Sequence, residues 1–140
     1  MYTNILVAVD GSEQNKTAVR AAVDIAAKMG SKLTAVYVEN SSEVKPNAFG
    51  GDVSAEERKA IIEKAATEAF ELVESLALKE GIEFHTVIRT GKPCDEIVAI
   101  TGDYDLLVCG SLGRTGLAKL MGSVSKTLVQ YAKCPVLVIR

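Results

Sequence analysis

Short apolar runs alternate with longer helical segments along the whole chain, and this alternation restricts the fold more than any other feature. Five runs have the length and β-branched composition of buried strands, at residues 4–9, 32–38, 84–89, 105–109 and 135–139. The segments between them read as helices, at residues 12–29, 54–80, 93–101 and 123–132. Strands that alternate with helices form a parallel sheet covered on both faces. Because crossovers are right-handed, we predict one α/β domain over residues 1–140, with a doubly wound five-stranded parallel sheet of strand order 3-2-1-4-5.

Local signals mark where the helices begin and end. Ser12 can cap the first helix, and Gly30 can close it in a left-handed conformation. Ser54 and Glu57 have the spacing of a capping box, and Pro93 suits the first turn of the third helix. These signals support the division into elements independently of the apolar pattern.

Composition excludes several classes of protein. Sixteen basic residues against 18 acidic ones give a formal net charge of −2. The chain therefore lacks the excess of positive charge that is typical of nucleic-acid-binding proteins. No apolar stretch approaches the roughly 18 residues of a membrane helix, and the N-terminal residues do not resemble a signal peptide. We therefore expect a cytoplasmic protein with neither a nucleic-acid nor a membrane partner. The cysteines form no CxxC motif, and Cys109 and Cys134 are interpreted as small buried hydrophobic residues.

The predicted topology brings two polar loops together. Ligands of open doubly wound sheets bind beyond the carboxyl ends of the strands, where the strand order reverses. In the order 3-2-1-4-5 this reversal lies between the first and fourth strands. The loops that follow those strands are residues 10–12 (Asp-Gly-Ser) and residues 110–114 (Gly-Ser-Leu-Gly-Arg). These are also the two most chemically suggestive loops in the chain, so we predict a ligand site there.

The second loop has the features of an anion site. Gly110 and Gly113 let the backbone turn sharply or approach a ligand, and Arg114 adds a positive charge. Residues 122–125 (Gly-Ser-Val-Ser) open the last helix, with Ser123 as the predicted cap and free N–H groups behind it. Together they predict a cradle for a phosphorylated ligand. The alternative is that the glycines only make turns and Ser123 only caps the helix. The segment is not a Walker A loop, because GxxxxGK[ST] is absent.

The first loop and its neighbours are open to two interpretations. Asp10 ends an apolar strand, where its carboxylate could hold a ribose hydroxyl or Mg²⁺, or could simply turn the chain into the helix. Tyr37 and Val38, at the end of the second strand, could form a slot for a base or be ordinary strand residues. The single histidine, His85, lies within the third strand among apolar neighbours, and we interpret it as structural. We therefore predict no catalytic residue and no set of metal ligands.

Three segments resemble the universal stress protein family: ILVAVDGSE at the start, GSLGRTGLAKLMGSVS near the end, and CPVLVIR at the end. The resemblance covers the whole chain and implies a five-stranded parallel α/β fold that binds ATP, accompanied by Mg²⁺, in a nucleotide-dependent stress-response regulator. It also implies a homodimer formed through the last strand. The residues that it implies around adenine and ribose are Ala8, Val9, Asp10 and Val38. Those that it implies around the phosphates are Gly110, Gly113, Arg114, Gly122, Ser123, Val124 and Ser125.

The glycine signature differs from the family's binding pattern by one residue. That pattern has nine residues between the second glycine and the Gly-Ser pair, whereas residues 114–121 supply eight here. One residue of helix rises about 1.5 Å, which is enough to disturb hydrogen bonds to phosphate. A nucleotide-free dimeric interaction module of the same fold therefore remains the alternative function, and a slow ATPase ranks below both.

Overall fold

The computed structural model describes residues 2–40, 54–111 and 123–140. The strands in these ranges are β1 (Asn4–Ala8), β2 (Lys32–Glu39), β3 (Phe84–Thr90), β4 (Leu106–Gly110) and β5 (Val136–Ile139). The helices are α1 (Asn15–Met29), α2 (Ala55–Lys79), α3 (Pro93–Ile100) and α4 (Ser123–Tyr131), and a 3₁₀ turn spans Thr101–Asp103. The predicted order of elements is thus confirmed.

The strands form one sheet in the order β3-β2-β1-β4-β5, and every pairing is parallel. This confirms the predicted α/β class and strand order. The order arises because the chain winds outward from β1 to β3, then crosses back to β4 on the other side of β1. The reversal between β1 and β4 sets the position of the candidate site.

Helices cover both faces of the sheet. One core cluster joins α1 and α2 to Ile5 and Val7 of β1. The other joins α3 and α4 to Leu6 of β1 and Leu107 of β4. Successive strand residues point to opposite faces, which is why neighbouring apolar residues of β1 enter different clusters.

One helix begins at a different residue from that predicted. α1 begins at Asn15 rather than Ser12, because residues 12–14 form a turn in which the Asn15 N–H donates to the Ser12 carbonyl oxygen at 3.2 Å. α4 begins at Ser123, as predicted, although Ser123 is a helical residue there and not the cap that the sequence suggested. The predicted caps at Ser54, Gly30 and Pro93 are confirmed: the Ser54 side chain accepts a bond from the Glu57 N–H, Gly30 has φ 65°, and Pro93 opens α3.

Gly91 provides a test of the turn between β3 and α3. Its φ of 146° suits glycine alone, and an added Cβ would lie 2.9 Å from Oε1 of Glu96, whose Oε2 bonds Arg89 Nε at 3.0 Å. We expect Gly91→Ala to lower the free energy of unfolding by about 1–3 kcal/mol, measured by urea denaturation. Gly102→Ala is the matched control, because its Cβ would only touch the Lys133 Cδ at 3.4 Å. An equal loss in both variants would contradict the prediction.

Asp105 ties the start of β1 to β4. Its Oδ2 accepts bonds from the Thr3 hydroxyl at 2.7 Å, the Asn4 N–H at 2.9 Å and the Thr3 N–H at 3.0 Å. The Thr3 hydroxyl, followed by the N–H groups of Asn4 and Thr3, lowers the pKa of the Asp105 carboxyl below its ordinary value. Hydrogen bonds to the charged form cause this direction of shift.

The lowered pKa of Asp105 predicts a pH dependence of stability. The contribution is complete above the unfolded-state pKa of about 4 and is lost as the pH falls through the lower folded-state value. We expect Asp105→Asn to melt at a lower temperature than the unaltered protein at pH 7, and the difference to vanish toward pH 2–3. Asp103→Asn, at an exposed carboxylate, is the control. A melting difference that stays constant with pH would contradict the prediction.

Candidate functional site

The loops predicted to form the site follow neighbouring strands. β1 and β4 are paired in parallel, with Ile5 opposite Leu106 and Val7 opposite Val108. Continuing this register by two residues places Val9 level with Gly110, and by three places Asp10 level with Ser111. The two loops therefore begin side by side at the carboxyl edge of the sheet, as predicted.

Asp10 presents its two carboxylate oxygens differently. Oδ1 accepts bonds from the Ser12 N–H at 2.8 Å and from the Ser12 hydroxyl at 2.6 Å. Within the described part of the chain, no group donates a hydrogen bond to Oδ2. The half-buried carboxylate is thus held by the turn through one oxygen and keeps acceptor capacity on the other. Turn formation and ligand binding, the two interpretations of Asp10, are compatible.

Asn15, the first residue of α1, belongs to the same network and was not predicted from the sequence. Its Nδ2 donates to the Ala8 carbonyl oxygen at 2.9 Å, and its Oδ1 accepts from the Asp10 N–H at 3.3 Å. Its own N–H donates to the Ser12 hydroxyl oxygen at 3.2 Å. A short amide side chain just after a strand and a turn is suited to hydrogen bonding with nearby backbone groups. This position in the sequence was the signal from which the role of Asn15 could have been predicted.

The three apolar residues implied beside adenine and ribose divide between the faces of the sheet. Ala8 and Val38 pack with the α3 and α4 cluster. Val9 packs with the α1 and α2 cluster, and its N–H donates to the Val36 carbonyl oxygen at 2.9 Å. Ala8 and Val38 therefore share a face of the sheet on which a base could rest. The side chain of Val9 lies on the opposite face, so only its backbone could contribute to that surface.

The described part of the second loop ties β4 to α4. Gly110 ends β4 opposite Ile139, and the Ser111 N–H donates to the Ile139 carbonyl oxygen at 2.9 Å. Ser125, buried in the first turn of α4, donates through its hydroxyl to the Ser111 carbonyl oxygen at 3.4 Å. The start of α4, where Ser123 and Val124 are exposed, thus lies near the end of β4. The predicted Gly113, Arg114 and Gly122 lie outside the described residues.

Tyr37 does not line a slot for a base. Its ring is buried in the α1 and α2 cluster, with its edge toward Phe70 at a centroid distance of 6.4 Å. Its hydroxyl donates to Oε2 of Glu39 at 2.6 Å. Of the two interpretations, the ordinary strand residue is the correct one for this side chain, because odd-numbered positions of β2 face α2.

Cys109 is buried in the core, as predicted, whereas His85 and Cys134 are more exposed than predicted. His85 is exposed on the edge strand β3 and bonds Glu83 Oε2 through Nε2 at 3.0 Å, so its predicted apolar surroundings are wrong. The hydrogen bond from His85 lowers the pKa of the Glu83 carboxyl the most. The nearby charge of Lys32 lowers it further. Burial raises the pKa of the Cys109 thiol to about 11 and also raises that of Cys134, which is only half-buried.

Two other kinds of functional feature are absent from the described ranges. Among residues 2–40, 54–111 and 123–140, no group of three or more His, Cys, Asp or Glu side chains could hold a metal ion. Nor does any helix in those ranges combine the length and apolar character required to cross a bilayer.

Comparison with known proteins agrees with this architecture. The model of the universal stress protein family matches residues 1–140. A universal stress protein of Methanocaldococcus jannaschii is 32% identical over 143 residues, which span 100% of this chain and 83% of that protein. The universal stress protein of Archaeoglobus fulgidus in complex with dAMP is 26% identical with a TM-score of 0.69, over 99% of this chain and 98% of that one. Another universal stress protein, crystallised with cAMP, is 25% identical with a TM-score of 0.71, over 99% and 97%.

Proposed function

Because this chain belongs to the universal stress protein family, we propose that it binds ATP with Mg²⁺ at the carboxyl ends of β1 and β4 and acts as a nucleotide-dependent regulator of the stress response in the cytoplasm. The observation that carries the proposal is that Oδ2 of Asp10, beside the end of β4, accepts no hydrogen bond from the residues that the structure describes. The complexes of two relatives with dAMP and cAMP support an adenine nucleotide as the ligand.

The described residues fit the parts of such a ligand. An adenine could rest on the face shared by Ala8 and Val38, and a ribose hydroxyl could donate to Asp10 Oδ2. The first N–H groups of α4 suit the phosphates, since helix starts attract anions. Mg²⁺ usually takes one or two carboxylates together with phosphate oxygens and water. A site whose only assigned carboxylate is Asp10 is consistent with a cation held mainly by the phosphates.

The glycine signature supports ATP as the nucleotide. Gly113, Arg114 and Gly122 would join Gly110, Ser123, Val124 and Ser125 around the β- and γ-phosphates. The eight residues at 114–121 are one fewer than the family's binding pattern, and this favours testing the second candidate, a nucleotide-free dimeric module. In both functions we propose pairing of two copies through β5, because β5 is an edge strand with apolar side chains, and its unpaired backbone N–H and C=O groups could extend the ladder.

Isothermal titration of nucleotide-stripped protein with ATP and Mg²⁺ tests the main proposal. We expect saturable heat at a stoichiometry of one ATP per chain, and no heat with Mg²⁺ alone. Absence of saturable binding at millimolar ATP, by a protein that sediments as a folded dimer, would replace this proposal by the nucleotide-free module. Nucleotide released from the freshly purified protein, identified by mass spectrometry, gives the preferred base.

A further inference from the structure

We propose that Asn15 is a positioning residue of the nucleotide site, which fixes the Asp10 turn so that Asp10 offers one oriented carboxylate oxygen to the ligand. The inference rests on the proposed function and adds to it a residue outside the family signature quoted above. Asn15 would not touch the nucleotide. It would act through Asp10 and Ser12.

The side chain of Asn15 joins the end of β1 to the turn. It is 7% exposed, and its amide bonds the Ala8 carbonyl oxygen at one end and the Asp10 N–H at the other. A carboxamide donates and accepts at once. An ionised aspartate could not donate to the Ala8 oxygen, and a serine side chain would be too short to reach both groups. Asparagine thus supplies both the donor and the acceptor that this position uses.

A second path links Asn15 to the carboxylate. The Asn15 N–H donates to the Ser12 hydroxyl oxygen, and that hydroxyl donates to Asp10 Oδ1. Because the Ser12 N–H also bonds Oδ1, that oxygen is used by the turn, and Oδ2 accepts no hydrogen bond from the described residues. A carboxylate without these bonds would rotate and would lose more conformational freedom on binding a ligand.

A double-mutant cycle separates positioning from general stabilisation. The Kd for ATP with Mg²⁺ would be measured for the unaltered protein, Asn15→Ala, Asp10→Ala and the double variant. We expect Asn15→Ala to weaken binding about 5- to 30-fold when Asp10 is present, and less than about twofold when it is absent, since positioned groups are coupled. Equal factors in both backgrounds would overturn the inference while leaving the proposed function intact. Failure of the unaltered protein to bind ATP would overturn both.

Hydrogen exchange in the ligand-free protein gives an independent readout. We expect Asn15→Ala to accelerate exchange of the Asp10 amide, whereas the Val9 amide, bonded to the Val36 carbonyl oxygen, should keep its rate. An unchanged Asp10 amide would also overturn the inference. If Asn15→Ala does not fold, Ser12→Ala replaces it in the cycle, because Ser12 is only half-buried and its hydroxyl is the link to Asp10 Oδ1. Absence of coupling between Ser12 and Asp10 would then count against the inference.

Discussion

Asp10→Ala should weaken the binding of ATP with Mg²⁺ about 10- to 100-fold, because a hydrogen bond to a charged group contributes about 1.5–3 kcal/mol. The acceptor that would be lost is Oδ2 of Asp10, to which no group in the described ranges donates. Isothermal titration at constant ionic strength measures the change in Kd. Circular dichroism should show an unchanged helix content, since the main secondary structure does not depend on this side chain.

Two further variants make the result specific. Asp10→Asn keeps the shape of the side chain and can still accept from Ser12, but it places an amide donor or a neutral oxygen at the open position, so most of the loss should remain. Asp24→Ala is the matched control, because Asp24 is an exposed carboxylate on α1 whose partner is Lys28 at 3.1 Å. A loss below twofold for Asp10→Ala, or an equal loss for Asp24→Ala, would remove Asp10 from the proposed site.

The order of the strands could be predicted because two signals with different physical origins agree. Strong apolar runs define β1, β2 and β4, and the right-handed crossover rule then leaves few topologies. The position of β3 was predicted, but the exposure of its side chains was not. β3 is an edge strand with a neighbour on one side only, and the side chain of His85 on it is exposed. Burial at an edge depends on which elements cover it, and a local pattern does not contain that information.

The position of the proposed site follows from the strand order and was predicted. The hydrogen bonds within it were not predicted. Strand order placed Asp10 beside the end of β4, as found. The start of α1 was predicted at Ser12, whose hydroxyl instead bonds Asp10 and receives the Asn15 N–H. A serine that can cap a helix can equally close a turn onto an aspartate. The choice depends on a third side chain, Asn15, which only the folded chain brings into place.

The strands next to the proposed site also contribute much of the stability, which Leu107→Ala should reveal. Leu107 lies in β4 between Leu6 of β1 and Val136 of β5, with 0% of its surface exposed. Truncation of this side chain to Ala should lower the free energy of unfolding by about 2–5 kcal/mol, because buried apolar surface is lost and a cavity is left behind. That is a large part of the roughly 5–15 kcal/mol typical of a domain. Urea denaturation at neutral pH measures the change.

Leu78→Ala is the matched control for Leu107→Ala, since Leu78 is 80% exposed near the end of α2 and should cost less than about 0.5 kcal/mol. The slope of unfolding free energy against urea should be equal in the two variants, so that the difference in midpoint reports stability alone. If ATP binds between β1 and β4, saturating ATP should restore part of the lost stability of Leu107→Ala, because a ligand of the folded state stabilises it by mass action. A cost below about 1 kcal/mol for Leu107→Ala would contradict the tight packing between β1, β4 and β5 on which the adjacency of the two loops depends.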